Sequence, residues 1–126
     1  MHDPHAPSQN HLLAALPKED IGRLLPHLEL VPMPLGDVLY ESGVELRHVY
    51  FPTTSIVSLL YVMLDGASAE ISVFGTEGVI GVALSRGGET MPNRAVVQSA
   101  GHDYRLQWQL LKQELLRSAA LQPLLL

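Results

Sequence analysis

The sequence predicts a mainly β, antiparallel domain, whether barrel, roll or sandwich, bracketed by short helices. Three observations carry this. From Leu30 to Leu106 the chain breaks into short apolar pieces of β type, separated by Gly, Pro, Asp and Ser. Little helical pattern lies between those pieces, which argues against crossover units and a parallel sheet. Both ends, by contrast, repeat their leucines at three- and four-residue spacing, as one face of a helix does.

Taken in order, residues 1–9 read as a polar, proline-broken tail, with the domain itself over residues 10–126. Asn10 is placed to cap a short helix carrying Leu12, Leu13 and Leu16. In "LPKEDIGRLLPHLEL", Pro17 suits a first helical position, and Glu19 and Asp20 sit where the helix dipole favours anions. Ile21, Leu24, Leu25 and Leu28 form one apolar stripe, and Pro26 ends or bends that helix near Leu25. The β pieces are then "DVLYE" before Ser42-Gly43, "HVYF" cut off by Pro52, "SIVSLLYVML", "ASAEISVF", "VIGVAL", "RAVVQS" and "YRL". Asp65-Gly66, between the third and fourth of these, is the strongest short-range hairpin signal. Val57, Leu59, Ile71 and Val73 alternate and are expected to share a core face. After Leu106 the helical period returns, and "QWQLLKQELLRSAA" sets Trp108, Leu110, Leu111 and Leu115 along one side, packed onto the sheet. Pro123 opens a further helix. The terminal "LLL" is expected to need a partner chain or a continuation to cover it.

Composition narrows the function. At 126 residues, 47% hydrophobic and 17% charged, the chain is one globular domain by length. It has no cysteine, which excludes disulfides, thiolate metal sites, iron–sulfur ligation and cysteine nucleophiles. No apolar run approaches the roughly 20 residues that span a bilayer. "MHDPHAPSQN" has neither the basic patch nor the hydrophobic core of a signal peptide. No membrane partner and a cytoplasmic location are therefore expected. The formal charge is −5, and Lys18 and Lys112 are joined only by scattered arginines. Such a surface is poorly suited to displacing counterions from duplex DNA.

The pieces "LLAALPKEDIGRLLPHLE", "LGDVLYESGVELRHVYFPTTSIVSLL", "GTEGVIG", "NRAVVQSAG" and "QWQLLKQELL" together resemble the N-terminal sensor domain of Crp/Fnr-type bacterial transcription regulators. That resemblance implies a cyclic nucleotide-binding-like β-roll (a double-stranded β-helix, or jelly roll) with short N-terminal helices and a C-terminal helix. It also implies a homodimer that senses a small-molecule effector and acts on DNA through a C-terminal helix-turn-helix. The dimerisation helix and DNA-binding unit are expected beyond Leu126, so DNA binding by this segment alone is not expected.

The resemblance also implies a ligand cassette in the glycine-rich stretch 75–97. In nucleotide-binding members a glutamate accepts from the ribose, an arginine pairs with the cyclic phosphate, and an adjacent Ser or Thr adds a hydroxyl. Here Gly81 matches the cassette glycine, but Val82 stands at the glutamate position and Ala83 follows. Arg94 matches the arginine, with Ala95 where the hydroxyl would be; a one-residue shift puts Asn93 at the phosphate position instead. Either alignment loses the ribose acceptor, so strong cyclic AMP binding is not expected. Arg94 has a second reading, a surface arginine paired with Glu89 or Glu77, and Glu77 itself reads as a solvated turn residue.

No catalytic residue, cofactor or metal site is expected. His2, His5 and His11 lie in or near the tail, and His27, His48 and His102 are isolated, without a His-x-His pair or a His-Glu-x-x-His motif. A cupin-like metal enzyme, the rival β-roll, would show closely paired histidines with a downstream glutamate. A hydrolase would show a G-x-S-x-G elbow. A purely structural, dimerising roll is the remaining alternative.

Overall fold

The structure, a computed structural model, describes residues 6–45, 47–81 and 93–125. Its strands form two sheets, with every pairing antiparallel. A three-stranded sheet has the order β1 (Glu29–Met33), β7 (Gly101–Gln107), β3 (His48–Pro52). A four-stranded sheet has the order β2 (Val38–Tyr40), β6 (Arg94–Ser99), β4 (Ile56–Val62), β5 (Ser68–Phe74). Strands remote in sequence are neighbours in space, β1 beside β7 and β2 beside β6, so the chain winds between the sheets as a jelly roll does. The expected antiparallel roll with terminal helices is the observed fold. Of the expected strand "VIGVAL", Ile80 forms a single bridge to Tyr50, at 2.8 and 3.1 Å. Its remainder, from Val82, lies outside the described residues.

Local chemistry explains the ends of the elements. Asn10 caps α1 (His11–Ala15): its Oδ1 accepts from the Leu12 and Leu13 amides at 3.0 and 3.1 Å. Its Nδ2 also donates to the carbonyls of Pro52 and Gly78, at 2.9 and 2.8 Å, so one buried side chain ties the helix to the roll. Pro17 sits one residue outside α2 (Lys18–Leu24) rather than within it. Pro26 ends that helix as expected, and Leu25–His27 tightens into a 3₁₀ turn. The changed winding turns Leu25 out to 45% exposure while Leu24 stays buried. In the β4–β5 hairpin Gly66 takes φ +88°, which glycine adopts without steric cost, and the Met63 amide closes the loop on the Ala67 carbonyl.

Two cores result. Between the sheets lie Met33, Tyr50, Val57, Leu59, Ile80, Ala95 and Val97. Outside the three-stranded sheet, Val49, Phe51 and Leu106 meet Leu13, Leu24, Leu111 and Leu115 of the helices, the last two from α3 (Trp108–Arg117). The α3 stripe therefore packs on its own roll. Arg23 reinforces it, bridging Asp20 on α2 and Glu114 on α3 at 2.8 and 2.9 Å.

Two expectations are corrected. Ile71 and Val73 do not join Val57 and Leu59, because the β4–β5 register shifts after Leu59↔Ser72 to Leu60↔Glu70, leaving Ile71 as an extra, bulged residue. Val73 then opposes Ser58 on the outer face, and Ile71 and Val73 are 52% and 45% exposed. The expectation that the terminal leucines need an outside cover fails for Leu125, whereas Leu124 is 37% exposed. Leu121 and Leu125, the latter on α4 (Gln122–Leu125), are enclosed in the helix-side core of this chain.

Candidate functional site

The inward face of β6 is set by its pairing with β4. Val57↔Val97 and Leu59↔Ala95 are buried pairs between the sheets, whereas Ser58↔Val96 and Leu60↔Arg94 belong to the opposite face. Alternation therefore sends Arg94 outward. There its Nε donates to Glu41 Oε1 at 2.8 Å, and both side chains are substantially exposed. The surface reading of Arg94 thus finds a partner, Glu41, that differs from both residues expected. Glu77 is an exposed turn residue whose Oε1 accepts from the Gly75 amide, and Glu89 lies outside the described residues.

Asn93 is in phase with Ala95 and Val97, and the three are 2%, 0% and 1% exposed. The Asn93 Oδ1 is buried with no hydrogen-bond partner. Opposite Ala95, on β2, stands Tyr40, whose hydroxyl is also buried and unpartnered. A register shift between Val38 and Tyr40 lets Leu39 and Tyr40 both pack on the inner core. Gly81, buried and at φ +117°, directly follows Ile80, which bridges to Tyr50 on β3. Of the cassette residues, Gly81, Asn93 and Ala95 are thus buried, and Arg94 is turned to the surface. Val82 and Ala83 lie outside the described residues.

A cleft of about 270 Å³ lies beside β2 and β3, lined by Leu39, Tyr40, Glu41, Arg47, His48 and Tyr50 among others, and by none of Gly81, Asn93 and Ala95. Burial holds both phenols, Tyr40 and Tyr50, above the ordinary tyrosine range, so they stay protonated donors. Arg105, opposite Tyr50 on β7, partly offsets that effect at Tyr50, and its own guanidinium is engaged by Glu29 on β1. His48 is lowered by burial and then by Arg105, which favours its neutral form. Asp103, next inward on β7, is wholly enclosed: Ser55 Oγ–H donates to Oδ1, Oδ2 has no partner, and burial raises the carboxyl to about 6. Sequence reading missed Tyr40, Tyr50, His48 and Asp103 as a group. Their common signal, polar groups at inward positions, becomes visible only once the register is known.

Among the described residues no group of three or more His, Asp or Glu is placed to hold a metal ion. His27 and His11 are exposed, and His48 and His102 belong to different strands.

No protein-family model matches the chain, and no curated protein matches its sequence. Solved structures match the fold. The N-terminal domain of a transcriptional regulator from Streptomyces coelicolor is 21% identical, with a TM-score of 0.69 over 97% of this chain and 82% of that one. The sensor domain of the transcriptional regulator DNR from Pseudomonas aeruginosa is 15% identical, with a TM-score of 0.75 over 88% and 75%. The catabolite activator protein of Thermus thermophilus is 16% identical, with a TM-score of 0.72; the match covers 94% of this chain but 54% of that longer one. The chain therefore has the cyclic nucleotide-binding-like β-roll fold found in sensor domains of transcription regulators.

Proposed function

We propose that residues 10–126 form the effector-sensing domain of a Crp/Fnr-type transcription regulator, with its ligand site on the inner face around Tyr40, Tyr50, Gly81, Asn93 and Ala95. The site keeps the position of a cyclic nucleotide cassette without its chemistry. The carrying observation is the orientation of β6: Arg94 faces outward to Glu41, and the inward residues are Asn93 and Ala95. A cyclic phosphate placed there meets an amide and a methyl where a guanidinium and a hydroxyl would be needed. In this reading the domain pairs as a homodimer in the cytoplasm and reaches DNA through a C-terminal domain of the regulator. Sensing requires an effector that binds two conformations unequally, and the cleft beside β2 and β3 is where such a ligand would act.

Thermal melting tests this, because a ligand that binds only the folded state raises the melting temperature. Cyclic AMP, cyclic GMP and cyclic di-GMP at about 100 μM are expected to leave it unchanged. A concentration-dependent rise with any of them contradicts the loss of nucleotide chemistry.

A further inference from the structure

We infer that the outer face of the four-stranded sheet docks a second copy of this chain, stacked face to face about a two-fold axis that runs along β4. This names the face behind the homodimer of the proposed function and rests on that reading for its use, while the pairing itself is argued from the sheet.

An antiparallel sheet with one face in water normally presents polar side chains there. Here one cross-strand row of the outer face is Val38 on β2, Val96 on β6, Ser58 on β4 and Val73 on β5. Val38 and Val73 are exposed, and Val96 is half-buried. The next row on this face is Arg94 on β6, Leu60 on β4 and Glu70 on β5. It sets a cation on one side of Leu60 and a carboxylate on the other, each one strand away, about 5 Å. Both charges are held from within the chain: Arg94 Nε donates to Glu41 at 2.8 Å, and Ser58 Oγ donates to Glu70 at 2.7 Å. Side chains placed in advance lose less freedom on docking.

That order selects the partner. A wholly basic surface would meet Arg94 and a wholly acidic one Glu70, whereas a copy turned half a revolution about an axis along β4 exchanges β6 with β5. Each Arg94 then lies over the other copy's Glu70, Val96 lies over Val73, and Leu60 meets its own counterpart on the axis. A guanidinium has donors for a second carboxylate beside Glu41. Each row is thus its own complement, which is the condition for an isologous interface. An axis across the strands would instead stack Arg94 on Arg94, which like charge opposes. The chain's formal charge of −5 resists self-association in general, so a face whose own charges cross-pair is where two copies can meet.

Analytical ultracentrifugation of the wild type, of Glu70→Arg and of Arg94→Glu tests the geometry. The wild type is expected to dimerise reversibly, and each variant to do so at least about 100-fold more weakly, because each brings like charges together twice. An equimolar mixture of the two variants is expected to recover the dimer, since every contact across a mixed pair again joins arginine to glutamate. If either variant fails to fold by circular dichroism, Leu60→Glu serves in its place: it sets two carboxylates against each other on the axis and is expected to be monomeric. A wild type that stays monomeric at about 1 mM overturns the interface. So do variants that dimerise like the wild type, or a mixture of folded variants that stays monomeric. None of these results touches the ligand site, which the melting test with cyclic nucleotides reads by itself.

Discussion

Replacing Asp103 with asparagine keeps the shape of a fully enclosed side chain and removes its charge. Ser55 supplies one hydrogen bond to Oδ1, and Oδ2 has none. Burial outweighs the serine and lifts the carboxyl from 3.8 to about 6. On unfolding, the acid returns to its ordinary value. From about pH 4 to about pH 6 the native state therefore holds a proton that the unfolded state has released, and stability falls as pH rises. Above that window both states are ionised, and the accumulated loss is roughly 3 kcal/mol. Below about pH 4 both states are protonated and the full contribution returns. Asparagine stays neutral throughout. Asp103→Asn is thus expected to match the wild type near pH 4 and to exceed it by up to about 3 kcal/mol at about pH 7.5. Urea unfolding of both proteins across this range measures the difference, which cancels contributions from other groups such as His48. A difference that stays flat with pH, or a variant less stable than the wild type at neutral pH, would refute the reasoning.

Other substitutions probe how the roll is held. Asn10→Ala removes two cap bonds and two bonds to the Pro52 and Gly78 carbonyls, with an expected cost of about 2–4 kcal/mol in urea unfolding; a loss below about 0.5 kcal/mol would deny the tie. Leu121→Ala is expected to cost about 2–5 kcal/mol, because Leu121 is fully buried in the helix-side core. An unchanged melting temperature would mean that the last turn does not dock there. In Gly101→Ala the new Cβ would stand 2.4 Å from the Thr54 carbonyl carbon, so backbone must move. The expected cost is at least about 1–3 kcal/mol, and a variant of wild-type stability would place the Thr54 loop elsewhere.

Much of the fold was legible because it rests on local chemistry. The Asn10 cap, the Pro26 stop and the Asp65-Gly66 turn each act within a few residues, and each appears where the sequence puts it. Ile71 and Val73 were misread because period-2 alternation assumes an unbroken register, and one bulged residue moves every later side chain to the other face. Leu125 was misread for a tertiary reason: its cover comes from helices and strands distant in the chain. The site follows the same division. Adjacent residues on a strand must point oppositely, so Asn93 and Arg94 cannot both face a ligand, yet only the pairing with β4 decides which one does. Tyr40 was hidden by the register shift in β2, and Asp103 by its place in "HDYRL". There Asp103 and Arg105 alternate with Tyr104 and Leu106 like a solvated face, but the second sheet closes over that face.

Calorimetric titration of the wild type and of Arg94→Ala with cyclic AMP tests most directly whether the cradle has lost its anion ligand. The outward ion pair with Glu41 predicts no saturable heat from either protein. Sub-micromolar binding by the wild type, abolished in Arg94→Ala, would require Arg94 to leave Glu41 and turn into the roll, and would contradict the account.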